Sequence, residues 1–173
     1  MLLLINVRSS MKKKVAYLGL FLGLALVCSY LESLVPIGFG IPGIKLGLTN
    51  VVVVLLMYCI GAKEALIISL LRIFLMGCLF NPASIPFSLA GGLLSFILMY
   101  LMKRTSLFKC LSVSVVGGIS HNIGQIIVAS VIVENYNILF YIPVLLVAGI
   151  ITGFLIGIVS QEIIIRLGNS IHF

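Results

Sequence analysis

Six apolar runs, at residues 14–33, 46–61, 64–80, 85–102, 110–133 and 138–162, take up nearly the whole chain, and the breaks between them are short: "VPIGFGIPGIK", "GAKE", "NPASIP", "KRTSLFK" and "ENYN". A bilayer core of ~30 Å is crossed by about 20 helical residues, fewer where flanking side chains snorkel or the bilayer thins. A soluble fold would have to cover these runs with a polar outer face, and the chain lacks the residues for one. Of its 173 residues 62% are hydrophobic and 9% charged, against about half and a quarter in a soluble domain. The runs therefore predict an all-α integral membrane protein, with six transmembrane helices in one bundle. The second and third runs are short for full spans and together too long for one, so Gly61 and Lys63 are expected to mark a helical hairpin. Around a single transmembrane domain at 14–166, residues 1–13 read as a basic cytoplasmic amino terminus and 167–173 as a cytoplasmic tail. The apolar stretch of "MLLLINVRSSMKKK" is too short for a signal-peptide core and its charges follow it, leaving Met1 and Met11 as alternative starts.

Orientation follows from the placement of Lys and Arg. With the amino terminus inside, Arg8, Lys12, Lys13, Lys14, Lys63, Lys103, Arg104, Lys109 and Arg166 all fall on the cytoplasmic side of a plasma membrane, and Lys45 alone falls outside. Both termini are thus expected in the cytoplasm. The net charge of +7 is topological on this reading, and no nucleic-acid partner is implied.

Several activities are excluded by what is missing. The sequence has no aspartate, and its acids are Glu32, Glu64, Glu134 and Glu162. Diphosphate chemistry with Mg²⁺ needs clustered carboxylates to hold the ion, and four scattered glutamates do not supply them. There is no phosphate-binding G-x-x-x-x-G-K-[ST] loop, so any ATP-driven work belongs to a partner. "GGISH" lacks the closing glycine and the nearby acid of a nucleophile elbow. Cys28, Cys59, Cys78 and Cys110 lie in or beside apolar runs without a C-x-x-C spacing, and read as small packing residues. The chain is expected to be neither an enzyme by itself nor a holder of metal or cofactor.

Three polar groups interrupt the apolar runs. Arg72, in "LLRIFLMG", puts a permanently charged guanidinium inside the third run, where it either contacts a ligand carboxylate or phosphate or pairs structurally with Glu32 or with carbonyls of a broken helix. In "GGISHNIGQII", His121, Asn122 and Gln125 project within one broad face of the fifth helix, extended by Ser114, Gly118 and Ala129. Such a stripe either lines a cavity or lets another helix approach and hydrogen-bond to it. In "IPGIKLGLTN", Pro42 and Gly43 break the backbone on the outer side, Lys45 brings a cation to the outer mouth, and Asn50 is expected one turn into the second helix. A helix amino terminus there attracts anions, although Lys45 can also simply snorkel. Lys45, Arg72 and His121 set against Glu32 point to an anionic ligand entering from outside. Gly19 and Gly23 on the first helix have the G-x-x-x-G spacing of a close helix contact, within the bundle or with a partner.

From about Glu32 to Ala129, "ESLVPIGFGIPGIKLGLTN", the "LLR" of the third run, "FSLAGGLLSFILM" and "GGISHNIGQ" resemble the Gx transporter family, also labelled heptaprenyl diphosphate synthase component I. The matching positions are Gly43, Lys45, Gly47, Asn50, Arg72, Ser88, Gly91, Gly92, His121, Asn122 and Gln125. "NPASIP" departs from the Gly and Ser-Phe pair usual before the fourth helix. The family is similar to the substrate-binding (S) components of energy-coupling factor transporters, six-helix proteins that capture a nutrient and dock on an ATPase-driven module. That resemblance implies substrate binding by Lys45, Asn50, Arg72, Ser88, His121, Asn122 and Gln125, with Gly19 and Gly23 meeting a coupling subunit. The ligand class is a small anionic or heteroaromatic nutrient of vitamin, flavin or quinone-precursor type. Two other readings stay open. One is a non-catalytic membrane accessory subunit of a polyprenyl diphosphate synthase or a redox assembly; the other is a structural bundle whose polar groups pair with each other.

Overall fold

A computed structural model describes residues 2–34 and 47–168. Among them the chain is all helix and turn: α1 (Leu2–Leu34), α2 (Asn50–Cys59), α3 (Ala62–Leu79), α4 (Ile85–Arg104), α5 (Cys110–Ile132) and α6 (Ile142–Gly168), with 3-10 turns at Pro82–Ser84 and Tyr136–Tyr141 leading into α4 and α6. Each expected run contains one helix, and the α2–α3 hairpin turns at Gly61 as its "GAK" break predicts. The ends differ. The first helix reaches back through the basic stretch to Leu2, since Lys and Arg are good helix formers. The last begins at Ile142, four residues after the expected start, and runs on to Gly168.

Among the described residues four helical stretches are long and apolar enough to cross a membrane: Lys12–Leu34, Pro82–Arg104, Cys110–Ile132 and Tyr136–Arg166. By contrast, α2 has 10 residues and α3 carries Lys63, Glu64 and Arg72 within its 18. The distribution of polarity is that of a protein solvated by lipid. Large apolar side chains such as Val15, Leu20, Val27, Phe74, Leu79, Ile97, Val131, Val147, Ile151 and Leu155 point outwards, while Ser29, Thr49, Asn50, Arg72, Ser88, Ser95, Ser114, His121, Asn122 and Gln125 are buried. Water would favour the reverse; a bilayer favours this one, because internal polar groups can satisfy each other only inside the bundle.

The short helix α2 is the axis of the bundle. Val52 to Met57 are all buried, and α1, α3, α5 and α6 pack around it. Lipid would also accept a helix apolar on every side, so it is the four surrounding helices that place α2 inside, and the need to satisfy its backbone without water overrides the strand preference of its four consecutive valines. Phe21 and Ala25 of α1, Phe96 and Met99 of α4 and Val113 of α5 complete the core around it.

Along α5, glycines set the spacing to both neighbours. Added side-chain carbons on Gly118, Gly149 and Gly153 would lie within 3 Å of the facing backbone of α5 or α6, and one on Gly124 would meet the Ala90 carbonyl of α4 at 2.7 Å. Gly149, Gly153 and Gly157 recur every four residues on α6, a small-residue ridge that the sequence reading above does not include.

At the end of the bundle where α2 finishes, charges close the structure. Lys14 pairs with Glu64 at 2.5 Å, tying α1 to α3. Lys103 donates to the Met57 carbonyl and lies 4.7 Å from the centre of the Tyr58 ring, so a cation covers the free carbonyls at the negative end of α2.

Candidate functional site

The opposite end of α2 is built differently. Glu32, in the last turn of α1, turns its carboxylate onto the start of α2, where Oε1 accepts the Gly47 N–H and, at 3.2 Å, the Leu48 N–H. Gly47 has a φ of +80°, a left-handed conformation that favours glycine. The turn it makes is closed by the Asn50 N–H donating to the Gly47 carbonyl at 2.8 Å. Asn50 is therefore the first residue of α2 and not one turn in; the backbone needs Gly47 to Thr49 to reverse direction.

Three contacts extend this corner into the bundle. The hydroxyls of Ser29 and Thr49 are 2.9 Å apart, joining α1 to α2. Arg72 Nη1 donates to Ser29 Oγ at 3.3 Å, bringing in α3. Ser29 and Glu32 are three residues apart and share a face of α1, which holds Arg72 within electrostatic reach of Glu32 without a direct ion pair between them. The structural pairing expected for Arg72 is with Glu32 or with backbone carbonyls; its hydrogen bond is to the Ser29 hydroxyl instead.

His121 and Gln125 form the α4–α5 wall. A carbon added to Gly47 would sit 3.1 Å from both the Asn50 amide nitrogen and His121 Cδ2, and one added to Gly91 would be 3.1 Å from His121 Nδ1 and 2.8 Å from Gln125 Cγ. Gly47 and Gly91 are the gaps that let the imidazole approach α2 and α4 at once. Ser88, one turn before Gly91, is also buried. Asn122 is turned to the other edge of the stripe, donating to the Leu145 carbonyl at 2.8 Å, and Gly118 faces α6. The fifth-helix stripe is therefore shared: His121 reaches the turn at Gly47 and Gln125 faces α4, while Asn122 and Gly118 pack α6.

Asn50, Arg72, His121 and Gln125 are buried in a zone linked through Gly47, Gly91 and the Ser29–Thr49 pair, while Ser88 is buried on α4 and its hydroxyl makes no hydrogen bond to them. Lys45, with Pro42 and Gly43, lies outside the described residues. Gly19 and Gly23 are elsewhere, on the outward side of α1, with none of the described residues within 4 Å of an added side-chain carbon. Ser29, Thr49 and the capping role of Glu32 were not predicted; small hydroxyl residues are too common in apolar helices to stand out.

The zone is polar beyond its internal needs. Among the described residues Glu32 Oε2, Asn50 Nδ2, Arg72 Nε and Ser88 Oγ are buried with no hydrogen-bond partner, whereas buried polar atoms in folded proteins nearly always have one. Replacing Gly47 by alanine should strain the turn and push against Asn50 and His121. We expect a loss of about 1–3 kcal/mol, read as a lowered thermal midpoint in detergent; an unchanged midpoint would mean the left-handed turn is not formed.

An apolar exterior, helices long enough to cross a bilayer and a buried polar zone define a helical membrane protein. The profile of the family described as heptaprenyl diphosphate synthase component I matches residues 21–163. The chain belongs to that family. No curated protein and no solved structure matches it.

Proposed function

We propose that the protein is a membrane substrate-binding component for uptake of a small anionic or heteroaromatic nutrient, coupled to a separate ATPase module. The observation that carries this reading is the set of buried, unpartnered atoms on Glu32, Asn50 and Arg72, from three helices at one corner. Leaving such groups unpaired costs about 1–3 kcal/mol each, and a bound polar molecule would offset that. Asn50, Arg72, Ser88, His121 and Gln125 are the proposed contacts, with Lys45 at the mouth and Asn122 positioning α5 against α6. The proposal includes six plasma-membrane crossings with both termini in the cytoplasm, which a carboxyl-terminal reporter responding from outside would overturn. Gly19 and Gly23 face outwards, as contact with a partner helix requires. Catalysis by the chain itself is not part of the proposal, given its lack of aspartate.

Native mass spectrometry of the detergent-purified protein tests it. A co-purified small molecule is expected on the wild type and lost from both Arg72→Lys, which keeps the charge but not the planar fork, and His121→Ala. Retention of the molecule by both variants would rule out this site.

The family description favours a second reading, a non-catalytic membrane subunit of a heptaprenyl diphosphate synthase. It predicts co-purification with a soluble, aspartate-rich synthase and prenyl transfer only in the mixture. A wild type free of small molecules that nevertheless restores prenyl transfer would favour it.

A further inference from the structure

Resting on the substrate-binding reading, we infer that the ligand is not a simple anion but carries a hydrogen-bond donor and an acceptor side by side with no net charge, as a zwitterion or a lactam-type heterocycle does. Among the described residues Glu32 and Arg72 carry the charges of the corner, and these cancel. Glu32 is 6% exposed and Arg72 3%, so neither is solvated by bulk water, and a buried net charge is opposed by desolvation.

Their hydrogen-bonding capacities are also opposite. Glu32 Oε1 is occupied by the Gly47 and Leu48 N–H groups, while Oε2 is buried without a partner and can only accept. Arg72 is held through Nη1 on Ser29 Oγ, and its buried, unpartnered Nε–H can only donate. A bare carboxylate or phosphate would answer Arg72 and leave Glu32 Oε2 facing a like charge. A molecule with a donor for Oε2 and an acceptor for Nε answers both. Asn50 Nδ2, buried and unpartnered beside them, adds a second donor for the acceptor side. Glu32 thereby acts as a specificity residue as well as a cap of α2.

The test uses the full chain in detergent and follows thermal unfolding with a fixed panel: alanine, phenylalanine and tryptophan as zwitterions, uracil and nicotinamide as neutral donor–acceptor heterocycles, and benzoate, indole-3-acetate and inorganic phosphate as anions. Stabilisation is expected from the first two classes. Glu32→Gln keeps an acceptor for the Gly47 and Leu48 amides but presents an NH₂ or a neutral oxygen to the ligand, and should weaken binding of the stabilising compounds about tenfold to a hundredfold. Stabilisation confined to the anions, and unchanged in Glu32→Gln, would overturn this inference and leave the substrate-binding reading standing. The absence of any stabilising compound would overturn both.

Discussion

Gly118→Val is expected to yield little or no folded, monodisperse protein. A side-chain carbon at Gly118 would lie 2.4 Å from the Gly149 carbonyl oxygen and 3.2 Å from the Gly153 backbone, so backbone would have to move against backbone. The displacement would not stay local, because the α5–α6 contact repeats at Gly153 against Val115 and at Gly157 against Leu111. Overpacking a tight core costs about 1–3 kcal/mol even where side chains can adjust, and here the facing atoms cannot. Gly19→Val is the control. Its added carbon meets nothing within 4 Å, and the thermal midpoint of the isolated chain should stay near wild type. A Gly118→Val protein as stable as Gly19→Val would contradict the α5–α6 interface.

The second large effect concerns the charges at the start of α2. Arg72→Met should destabilise the protein by about 3 kcal/mol or more, since removing one buried charge leaves its partner uncompensated. Adding Glu32→Gln should recover most of the loss: the glutamine oxygen can still accept from Gly47 and Leu48, and no charge remains at the corner. Thermal unfolding of the two single variants and the double variant gives the coupling. Additive losses would show that Glu32 and Arg72 do not sense each other and would remove the basis for a balanced site.

The helices were legible because each break carries a glycine, a proline or charges, the residues that cannot continue an apolar helix in lipid. Gly61 with Lys63 marked the hairpin, and "KRTSLFK" marked the turn before α5. The start of α2 was less legible. It depends on a left-handed Gly47 capped by a carboxylate 15 residues earlier in the chain, and nothing local in "KLGLTN" records that partner. The site was half visible for a similar reason. Arg72, His121 and Gln125 stand out because polar groups in apolar runs are conspicuous, but which of them share a space depends on how close α4 and α5 come. That distance is fixed by Gly91 and Gly124. Asn122 shows the limit of helical spacing: it adjoins His121 in sequence yet bonds to α6.

The brevity of α2 has an electrical consequence. Its 10 residues rise about 15 Å, and its carboxyl end lies among Lys14, Glu64 and Lys103, a charged belt suited to the headgroups. Asn50, at the other end of α2, is then about halfway across a hydrocarbon layer of ~30 Å, and Glu32, in the last turn of α1, closes the corner on the far side. In the orientation proposed above, a monoanion drawn in from outside as far as Asn50 would cross up to half of an inside-negative membrane potential, working against up to about 1 kcal/mol at 100 mV. A zwitterion of no net charge would reach the same depth without that penalty, so its occupancy should not respond to the resting voltage of the cell.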